Sequence, residues 1–264
     1  MKPLSIAQIT ERMAEIQESD PFILELEKDD RKGVQTLLAR WRKQKEQAKQ
    51  LKAKFEAMTY YERKMQAQGF QLIAGVDEVG RGPLAGPVVA AAVILPENFF
   101  LAGIDDSKKL SEAKRNEYNE IIRREAVAFS VAMVSAEEID ELNIYQATKK
   151  AMKTAILTLS SGPDALLIDA MRLETPYPSE SIIKGDANSV SIAAASIVAK
   201  VARDELMKEI GLIYPEYGFR HNMGYGTKEH LLALEKHGIT PYHRKTFSPI
   251  KEWLQPTLFD MGNF

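Results

Sequence analysis

The chain has 264 residues, of which 45% are hydrophobic, so it can form one sizeable domain with room for an appendage. It contains no cysteine, which excludes disulfides and thiolate zinc sites, and its net charge of -2 gives no overall attraction to nucleic acid. No segment approaches the roughly 18 apolar residues of a membrane span, and the acids near the start do not resemble a secretory signal. We therefore expect a cytoplasmic protein with no membrane partner.

Residues 1–69 are predicted to form a helical N-terminal extension. Ser5 is a suitable N-cap, and Asp20 before Pro21 is typical of the start of a second helix. Between residues 42 and 64 there are eight Lys or Arg residues against three Glu. This stretch is either a basic arm that contacts a duplex backbone or a solvated amphipathic helix. Gly69 marks the end of the extension.

Residues 70–250 show alternating strand and helix patterns. Two apolar runs joined by a Gly/Pro turn predict a hairpin, and the later strands are interleaved with helices. This order predicts an α/β domain in which a mixed sheet carries helices on its faces. The predicted strands are 70–79, 88–95, 128–134, 165–169 and 180–184. The predicted helices are 111–126, 135–159 with a break near Asn143, 188–210 and 227–238.

Four acids stand where predicted strands end: Asp77, Glu78, Asp169 and Asp186. If these strand ends meet, the carboxylates repel one another and raise one another's pKa values unless a cation is bound. Two Mg²⁺ or Mn²⁺ ions, about 3.5–4 Å apart, would relieve the repulsion and support phosphoryl chemistry. Asp186 alone would be interpreted as a turn residue, but the set of four favours a metal site.

The tripeptide Gly80-Arg81-Gly82 follows the first two acids directly. Glycine on both sides of an arginine lets the backbone approach an anion closely, which suits a phosphodiester. Alternation along a strand would send Asp77 and Glu78 to opposite faces, so a shared site requires the strand to bend or end there. Gly80 makes that possible. Metal-binding acids beside a phosphate-binding loop indicate nuclease chemistry.

Six motifs resemble, in order, the signature blocks of the bacterial ribonuclease HII family. They are residues 75–87, 106–110, 167–170, 184–186, 191–200 and 224–227. The resemblance covers residues 70 to 250 and implies a ribonuclease H-like mixed five-stranded sheet flanked by helices. It also implies a monomeric two-metal enzyme that cuts the RNA strand of RNA/DNA hybrids. Such an enzyme incises 5′ to single ribonucleotides in duplex DNA and leaves 3′-hydroxyl and 5′-phosphate ends.

The same resemblance implies roles for individual residues. The catalytic metal ligands would be Asp77, Glu78, Asp169 and Asp186. The groups that contact the ribose 2′-OH and the adjacent phosphate would be Gly80, Arg81 and Gly82. Further phosphate contacts would come from Lys108, Lys109 and Lys184. Tyr225 would pack against the deoxyribose that follows the ribonucleotide, where a second 2′-OH has no room.

Two alternatives compete with this interpretation. Ribonuclease HIII looks similar in its core, but it tends to carry Lys in place of the motif arginine and a sheet in its N-terminal domain. Here Arg81 is present and the extension is predicted to be helical, which favours ribonuclease HII. A non-catalytic binding module is the other alternative, and the clustered acids argue against it because a binder of a polyanion would not retain negative charge there.

Residues 251–264 form a C-terminal tail. Gln255, Leu258 and Phe259 resemble the short peptide with which bacterial repair and replication proteins bind the sliding clamp. The tail contains a proline, so it can extend into an apolar groove. It either binds the clamp or packs on the protein's own body.

The four histidines do not form a metal-binding spacing with the acids. His230 and His237 lie seven residues apart on one predicted helix, and we expect them at the surface or at a helix end. His221 and His243 receive no role.

Overall fold

The computed structural model describes residues 4–254, and the chain divides into two compact units after Glu56. The strands are β1 (Ile73–Val79), β2 (Val88–Ile94), β3 (Ala128–Val134), β4 (Ala165–Asp169) and β5 (Ser179–Ile182). The helices are α1 (Ile6–Glu15), α2 (Pro21–Glu27), α3 (Lys32–Met58), α4 (Tyr60–Gln66), α5 (Glu112–Glu125), α6 (Ala136–Leu142), α7 (Ile144–Leu157), α8 (Gly185–Asn188), α9 (Val190–Ile213), α10 (Phe219–Asn222), α11 (Lys228–His237) and α12 (Ile250–Leu254), with a 3-10 turn at Pro215–Tyr217. Within residues 4–254 no helix combines the length and the apolar character that a membrane crossing requires.

The first unit is helical, as predicted. The Ser5 side chain accepts a hydrogen bond from the Gln8 backbone N–H while the Gln8 side chain bonds back, and this capping box starts α1. Apolar side chains of α1, α2 and α3 form its core: Ile9, Met13, Phe22, Ile23, Leu26, Val34, Leu38 and Trp41. Along α3, residues 46–54 are exposed on every side of the helix, which is typical of a solvated helix.

The second unit contains a mixed five-stranded sheet in the order β3-β2-β1-β4-β5. Strands β1, β2 and β3 pair antiparallel, and β1, β4 and β5 pair parallel. The predicted hairpin and the predicted mixed sheet with helices on its faces are therefore confirmed. β1 lies in the middle of the sheet, so residues at its end have neighbouring strands on both sides.

The two faces of β1 pack differently. Ala74 and Val76 belong to the core that contains α7, whereas the alternate residue Gly75 faces α9. A Cβ at Gly75 would lie 2.0 Å from the Ser191 backbone, so only glycine allows α9 to approach this closely. Asp77 lies on the same face as Gly75, because side chains alternate along the strand. The Ala- and Ser-rich α9 thus packs against the strand that carries the first acid.

Local backbone conformations explain where the observed elements differ from the predicted ones. Asn143 has a left-handed φ of 68° and its side chain caps α7, so the predicted break in the long helix is confirmed. β5 ends at Ile182 rather than at 184 because Lys184 adopts a left-handed conformation. Ser189 caps α9, which therefore begins at Val190.

Candidate active site

The middle strand carries the first two acids. Asp77 is buried and lies one residue beyond Val76, the last residue of β1 that pairs with β4. The Asp77 carboxylate accepts a 2.7 Å hydrogen bond from the Glu78 backbone N–H, which directs it toward the following residue. Glu78 lies just before β1 ends at Val79. Glu78 is still paired with Ala90 of β2, yet one carboxylate oxygen of Asp77 and one of Glu78 lie within 4.8 Å of each other.

The neighbouring strand carries the third acid. Asp169 is the last residue of β4 and, like Asp77, follows directly on the pair formed by Val76 and Ile168. Its Oδ1 atom accepts a 2.6 Å hydrogen bond from the Gly185 backbone N–H. One carboxylate oxygen each from Asp77, Glu78 and Asp169 lies within 4.8 Å of the others. Two adjacent parallel strands therefore present three acids at one edge of the sheet.

The electrostatics of this cluster indicate uncompensated negative charge. Burial raises the pKa of Asp77 well above its ordinary value, and the charges of Glu78 and Asp169 raise it further. Burial also raises the pKa of Glu78, although the nearby Arg81 opposes the rise. All the donors are carboxylate oxygens, the ligands that hard divalent cations such as Mg²⁺ and Mn²⁺ prefer. The cluster therefore fits a divalent cation.

The expectation that Asp186 stands at a strand end is wrong: it lies in α8, beside the three acids rather than among them. Burial raises the pKa of Asp186, as do the charges of the nearby Asp106 and Asp169. The charge of Lys108 lowers the pKa of both Asp169 and Asp186. Sequence reasoning did not select Asp106 as a site residue. The available signal was its position at the start of the 106–110 motif, two residues before Lys108 and Lys109.

Helix α9 contributes a hydroxyl group that sequence reasoning also missed. The Ser196 hydroxyl lies close enough to the Asp77 carboxylate to lower the pKa of Asp77, against the larger effect of burial. The Ser196 Oγ atom also lies 2.9 Å from the Ser107 Oγ atom. Both serines are buried. Ser196 of α9 therefore bonds to the 106–110 segment and lies beside Asp77.

The Gly-Arg-Gly loop lies next to the acids. The Arg81 side chain is 45% exposed, and its Nη1 atom lies 3.3 Å from Glu78 Oε1. A Cβ placed on Gly82 would lie 3.9 Å from Cε1 of Tyr225, so the tyrosine ring is adjacent to this glycine. Tyr225 is 47% exposed. Gly80 has a left-handed φ of 89°, which turns the chain after the acids.

The three lysines occupy different positions around the acids. Lys108 is close enough to Asp169 and Asp186 to affect their pKa values. The Lys109 Nζ atom lies 3.1 Å from Asp105 Oδ1. Lys184 is exposed and directly precedes Gly185, the residue that donates to Asp169.

The expectation that His230 lies at the surface is wrong: it lies in the first turn of α11 but is buried, whereas His237 is exposed at the end of α11. His230 and His243 are buried, and their Nε2 atoms lie 2.9 Å apart. The Thr240 N–H can only donate, so His243 Nδ1 accepts and the His243 proton lies on Nε2. His243 Nε2 therefore donates a hydrogen bond to His230 Nε2. His230 carries its own proton on Nδ1 and donates a hydrogen bond to the Tyr225 carbonyl. These neutral histidines hold the backbone of residues 223–227, which form the Tyr225 loop between α10 and α11.

The candidate clamp-binding residues Gln255, Leu258 and Phe259 lie outside residues 4–254.

Both units of the chain resemble known proteins. Residues 74–250 match the family described as Ribonuclease HII, and residues 5–66 match the family described as Ribonuclease HII N-terminal domain. A ribonuclease HII of Bacillus cereus is 56% identical over 257 residues, which are 97% of this chain and 100% of the relative. The motif resemblance is therefore confirmed and extends to the N-terminal helices.

Two solved structures share the fold. The ribonuclease H2 from Pyrococcus horikoshii OT3 is similar with a TM-score of 0.60 and 25% identity, covering 68% of this chain and 95% of that chain. The ribonuclease HII of the PCNA:RNase HII complex from Archaeoglobus fulgidus is similar with a TM-score of 0.57 and 26% identity, covering 72% of this chain and 99% of that chain. The predicted ribonuclease H-like fold is thus confirmed.

Proposed function

The chain belongs to the ribonuclease HII family, and we propose that it incises duplex DNA on the 5′ side of single embedded ribonucleotides. Membership makes it a metal-dependent endoribonuclease that cleaves the RNA strand of RNA/DNA hybrids. The proposed incision leaves a 3′-hydroxyl and a 5′-phosphate. The observation that carries the proposal is the convergence of Asp77, Glu78 and Asp169 within 4.8 Å, next to the loop of Arg81.

The acids are proposed to hold two divalent cations. Asp77, Glu78 and Asp169 supply the central ligands, and Asp186 extends the site on the side of Asp169. When bound, a pair of Mg²⁺ or Mn²⁺ ions supplies Lewis-acid catalysis for phosphodiester hydrolysis. The Glu78 backbone N–H orients the Asp77 carboxylate by its 2.7 Å hydrogen bond. The raised pKa values of these acids support the proposal, because a cation would remove the repulsion that burial and mutual proximity create.

The loop beside the acids is proposed to recognise the ribonucleotide. The backbone of Gly80, Arg81 and Gly82 approaches the ribose 2′-OH, the group that distinguishes RNA from DNA at one position. The half-exposed Arg81 side chain binds the adjacent phosphate. Tyr225, whose ring is adjacent to Gly82, packs against the next deoxyribose and leaves no room for a second 2′-OH. Lys108, Lys109 and Lys184 contact neighbouring phosphates.

The test is cleavage of a 5′-labelled DNA duplex with one ribonucleotide, incubated with Mg²⁺ or Mn²⁺ and mapped to the nucleotide. We expect a single cut 5′ to the ribonucleotide, so that the labelled fragment ends in a 3′-hydroxyl. An otherwise identical all-DNA duplex is the control and stays intact. Cleavage only within longer RNA tracts would contradict the proposal and indicate the specificity expected of ribonuclease HIII.

We also propose that the tail binds the bacterial sliding clamp through Gln255, Leu258 and Phe259. The solved complex of the Archaeoglobus fulgidus ribonuclease HII with PCNA supports the idea for a relative. Calorimetry with a purified clamp tests it: the full chain binds, and a variant with Leu258→Ala and Phe259→Ala does not. Equal binding by both would contradict it. The expected monomeric state and cytoplasmic location stay predictions.

A further inference from the structure

Two completely buried arginines, Arg203 on α9 and Arg244, are not explained by the catalytic chemistry. Within residues 4–254 neither guanidinium forms an ion pair with a carboxylate, and their hydrogen-bond partners are backbone carbonyls. Burying a cation without an anion is costly unless its N–H groups are satisfied. The identity of the carbonyls therefore indicates what these arginines do.

Arg244 binds both ends of the loop formed by residues 80–87. Its Nη2 atom donates to the Gly80 carbonyl at 2.6 Å and to the Gly86 carbonyl at 2.8 Å. Its Nη1 atom donates to the Arg81 carbonyl at 2.9 Å, and its Nε atom donates to Gly86 at 3.0 Å. A planar guanidinium with donors in a fixed arrangement is suited to three carbonyls, and a lysine ammonium is not.

Arg203 connects the same loop to the Tyr225 loop. It donates to the carbonyls of Pro87 at 3.0 Å, Ala85 at 3.1 Å and Met223 at 2.9 Å. A Cβ on Gly80 would lie 2.2 Å from the Arg203 Nε atom, so the arginine packs directly against the loop backbone. The two proposed substrate-binding loops are therefore held by one side chain.

The directions of these carbonyls fix the directions of the loop N–H groups, because both belong to the same planar peptides. In a trans peptide the C=O and the N–H of the next residue point in opposite directions. The carbonyls of Gly80 and Arg81 point at Arg244, so the N–H groups of Arg81 and Gly82 point away from it. Neither N–H has a backbone or side-chain acceptor within residues 4–254, and both residues are exposed. Successive free N–H groups of this kind form an anion-binding surface.

We infer that Arg203 and Arg244 are positioning residues that fix the 80–87 loop with the N–H groups of Arg81 and Gly82 directed at the ribose and phosphate of the substrate. This inference rests on the proposed function. Both arginines act through the backbone and do not touch the substrate themselves. They also place two positive charges under a loop that binds an anion.

The ionisation of Arg244 is compatible with this role. Burial lowers the pKa of Arg244 to about 9, and the charge of Arg203 contributes to the decrease. Arg244 therefore stays mostly protonated at neutral pH. Burial also lowers the pKa of Arg203.

The test uses Arg244→Lys and Arg203→Lys, which keep the charge but carry all their donors on one nitrogen and so cannot reproduce the spread of the guanidinium donors. Arg124→Lys, at an exposed arginine paired with Glu125, is the matched control. We expect KM for the single-ribonucleotide duplex to rise at least about tenfold in each loop variant. We expect Mn²⁺ binding without substrate to change less than about twofold, because the acids are not contacted. Hydrogen exchange of the peptide covering residues 80–87 should become faster in both loop variants and not in the control.

Two results would overturn the inference. One is a folded Arg244→Lys variant with unchanged KM and unchanged exchange. The other is a rise in KM that is matched by an equal loss of Mn²⁺ affinity, since this indicates general damage to the unit. If the wild-type protein cleaves no ribonucleotide-containing duplex, the proposed function fails separately, and the hydrogen exchange of the loop still decides whether the arginines position it.

Discussion

Two groups of buried charge adjoin the 80–87 loop, and they are built in opposite ways. Asp77, Glu78 and Asp169 repel one another, and burial and their mutual charges raise the pKa of Asp77. Arg203 and Arg244 are also of like charge, but backbone carbonyls satisfy their N–H groups. The acids need a ligand to be stable, whereas the arginines do not. Unsatisfied buried charge therefore indicates a binding site, and satisfied buried charge indicates a scaffold.

The largest expected effect comes from removing one unsatisfied charge. Asp77→Asn should reduce cleavage by about a thousandfold or more, which corresponds to roughly 4 kcal/mol of transition-state stabilisation. The thermal melt in metal-free buffer should stay the same or rise, because a repulsive buried charge is gone. Cleavage kinetics and scanning calorimetry with a chelator check the two halves of this prediction. A melt that collapses would contradict a metal-site role.

Asp164 provides a control for which the melting temperature should change in the opposite direction. Its carboxylate accepts hydrogen bonds from the backbone N–H groups of Gln71 and Leu72, and these bonds lower the pKa of Asp164. Asp164→Asn should therefore lower the metal-free melting temperature and leave cleavage unchanged. If both variants shift the melt in the same direction, the distinction between satisfied and unsatisfied acids is wrong.

Arg81→Ala should impair substrate recognition without disturbing the acids. We expect a loss of about ten- to a hundredfold in kcat/KM on the single-ribonucleotide duplex, or roughly 1.4–2.7 kcal/mol. Mn²⁺ binding should persist, because Arg81 contacts only Glu78 within the acidic cluster. Steady-state kinetics beside Mn²⁺ titration calorimetry measures both quantities, with Arg124→Ala as the exposed control. Equal loss of cleavage and of Mn²⁺ binding contradicts the assignment.

The buried histidines should make the protein less stable in mild acid. The pKa of His243 falls to about 4, mainly because of burial, compared with 6.5 in the unfolded chain. The unfolded state therefore binds more protons below pH 6.5, so stability is full above that pH and is lost as the pH falls toward 4. From pH 7 to pH 5 this loss amounts to roughly 2 kcal/mol.

Urea unfolding at pH 7 and pH 5 checks the histidine prediction. His243→Gln removes the titrating group and should show a smaller acid-dependent loss than the wild type. The exposed His221 offers the matched control, since His221→Gln should retain the full loss. An identical pH dependence in all three proteins would show that His243 is not buried as a neutral group.

The smallest expected effect concerns a carboxylate that caps α9. Glu62 Oε1 accepts hydrogen bonds from the Ser189 hydroxyl and from the backbone and hydroxyl of Ser191, at 2.5, 2.9 and 2.6 Å. Its charge lies at a helix N-terminus, where an anion is favourable. Glu62→Gln should cost roughly 1 kcal/mol of stability and leave cleavage intact. Chemical denaturation checks this against Glu120→Gln on the exposed face of α5, and equal stability of the two variants would be the contrary result.

The sequence predicts the parts of this molecule whose signals are local. Ser111, Ser135 and Thr227 each cap the helix that was expected to start beside them, because an N-cap acts within three residues. The acids at strand ends were also visible, since an Asp after an apolar run is unusual. The side-chain pattern therefore predicted both the sheet and the position of its charged edge.

Other features depend on contacts between distant parts of the chain. Arg203 donates to a carbonyl 116 positions away and Arg244 to one 164 positions away, and a backbone acceptor leaves no pattern of residue types. Ser196 was visible only as a small residue suited to packing. The sequence around His230 is of mixed polarity and gives no indication that this residue is buried. Its partner His243 comes from a separate loop. Only the folded structure shows these pairings.

The most direct test of the account is anomalous diffraction from crystals soaked in Mn²⁺. We predict Mn²⁺ density bounded by the carboxylates of Asp77, Glu78 and Asp169, and a second peak on the side of Asp186. The same soak of Asp77→Asn should lose or weaken the central peak. Mn²⁺ that binds elsewhere, or a wild-type crystal without density at these acids, would contradict the claim that this edge of the sheet is the catalytic metal site.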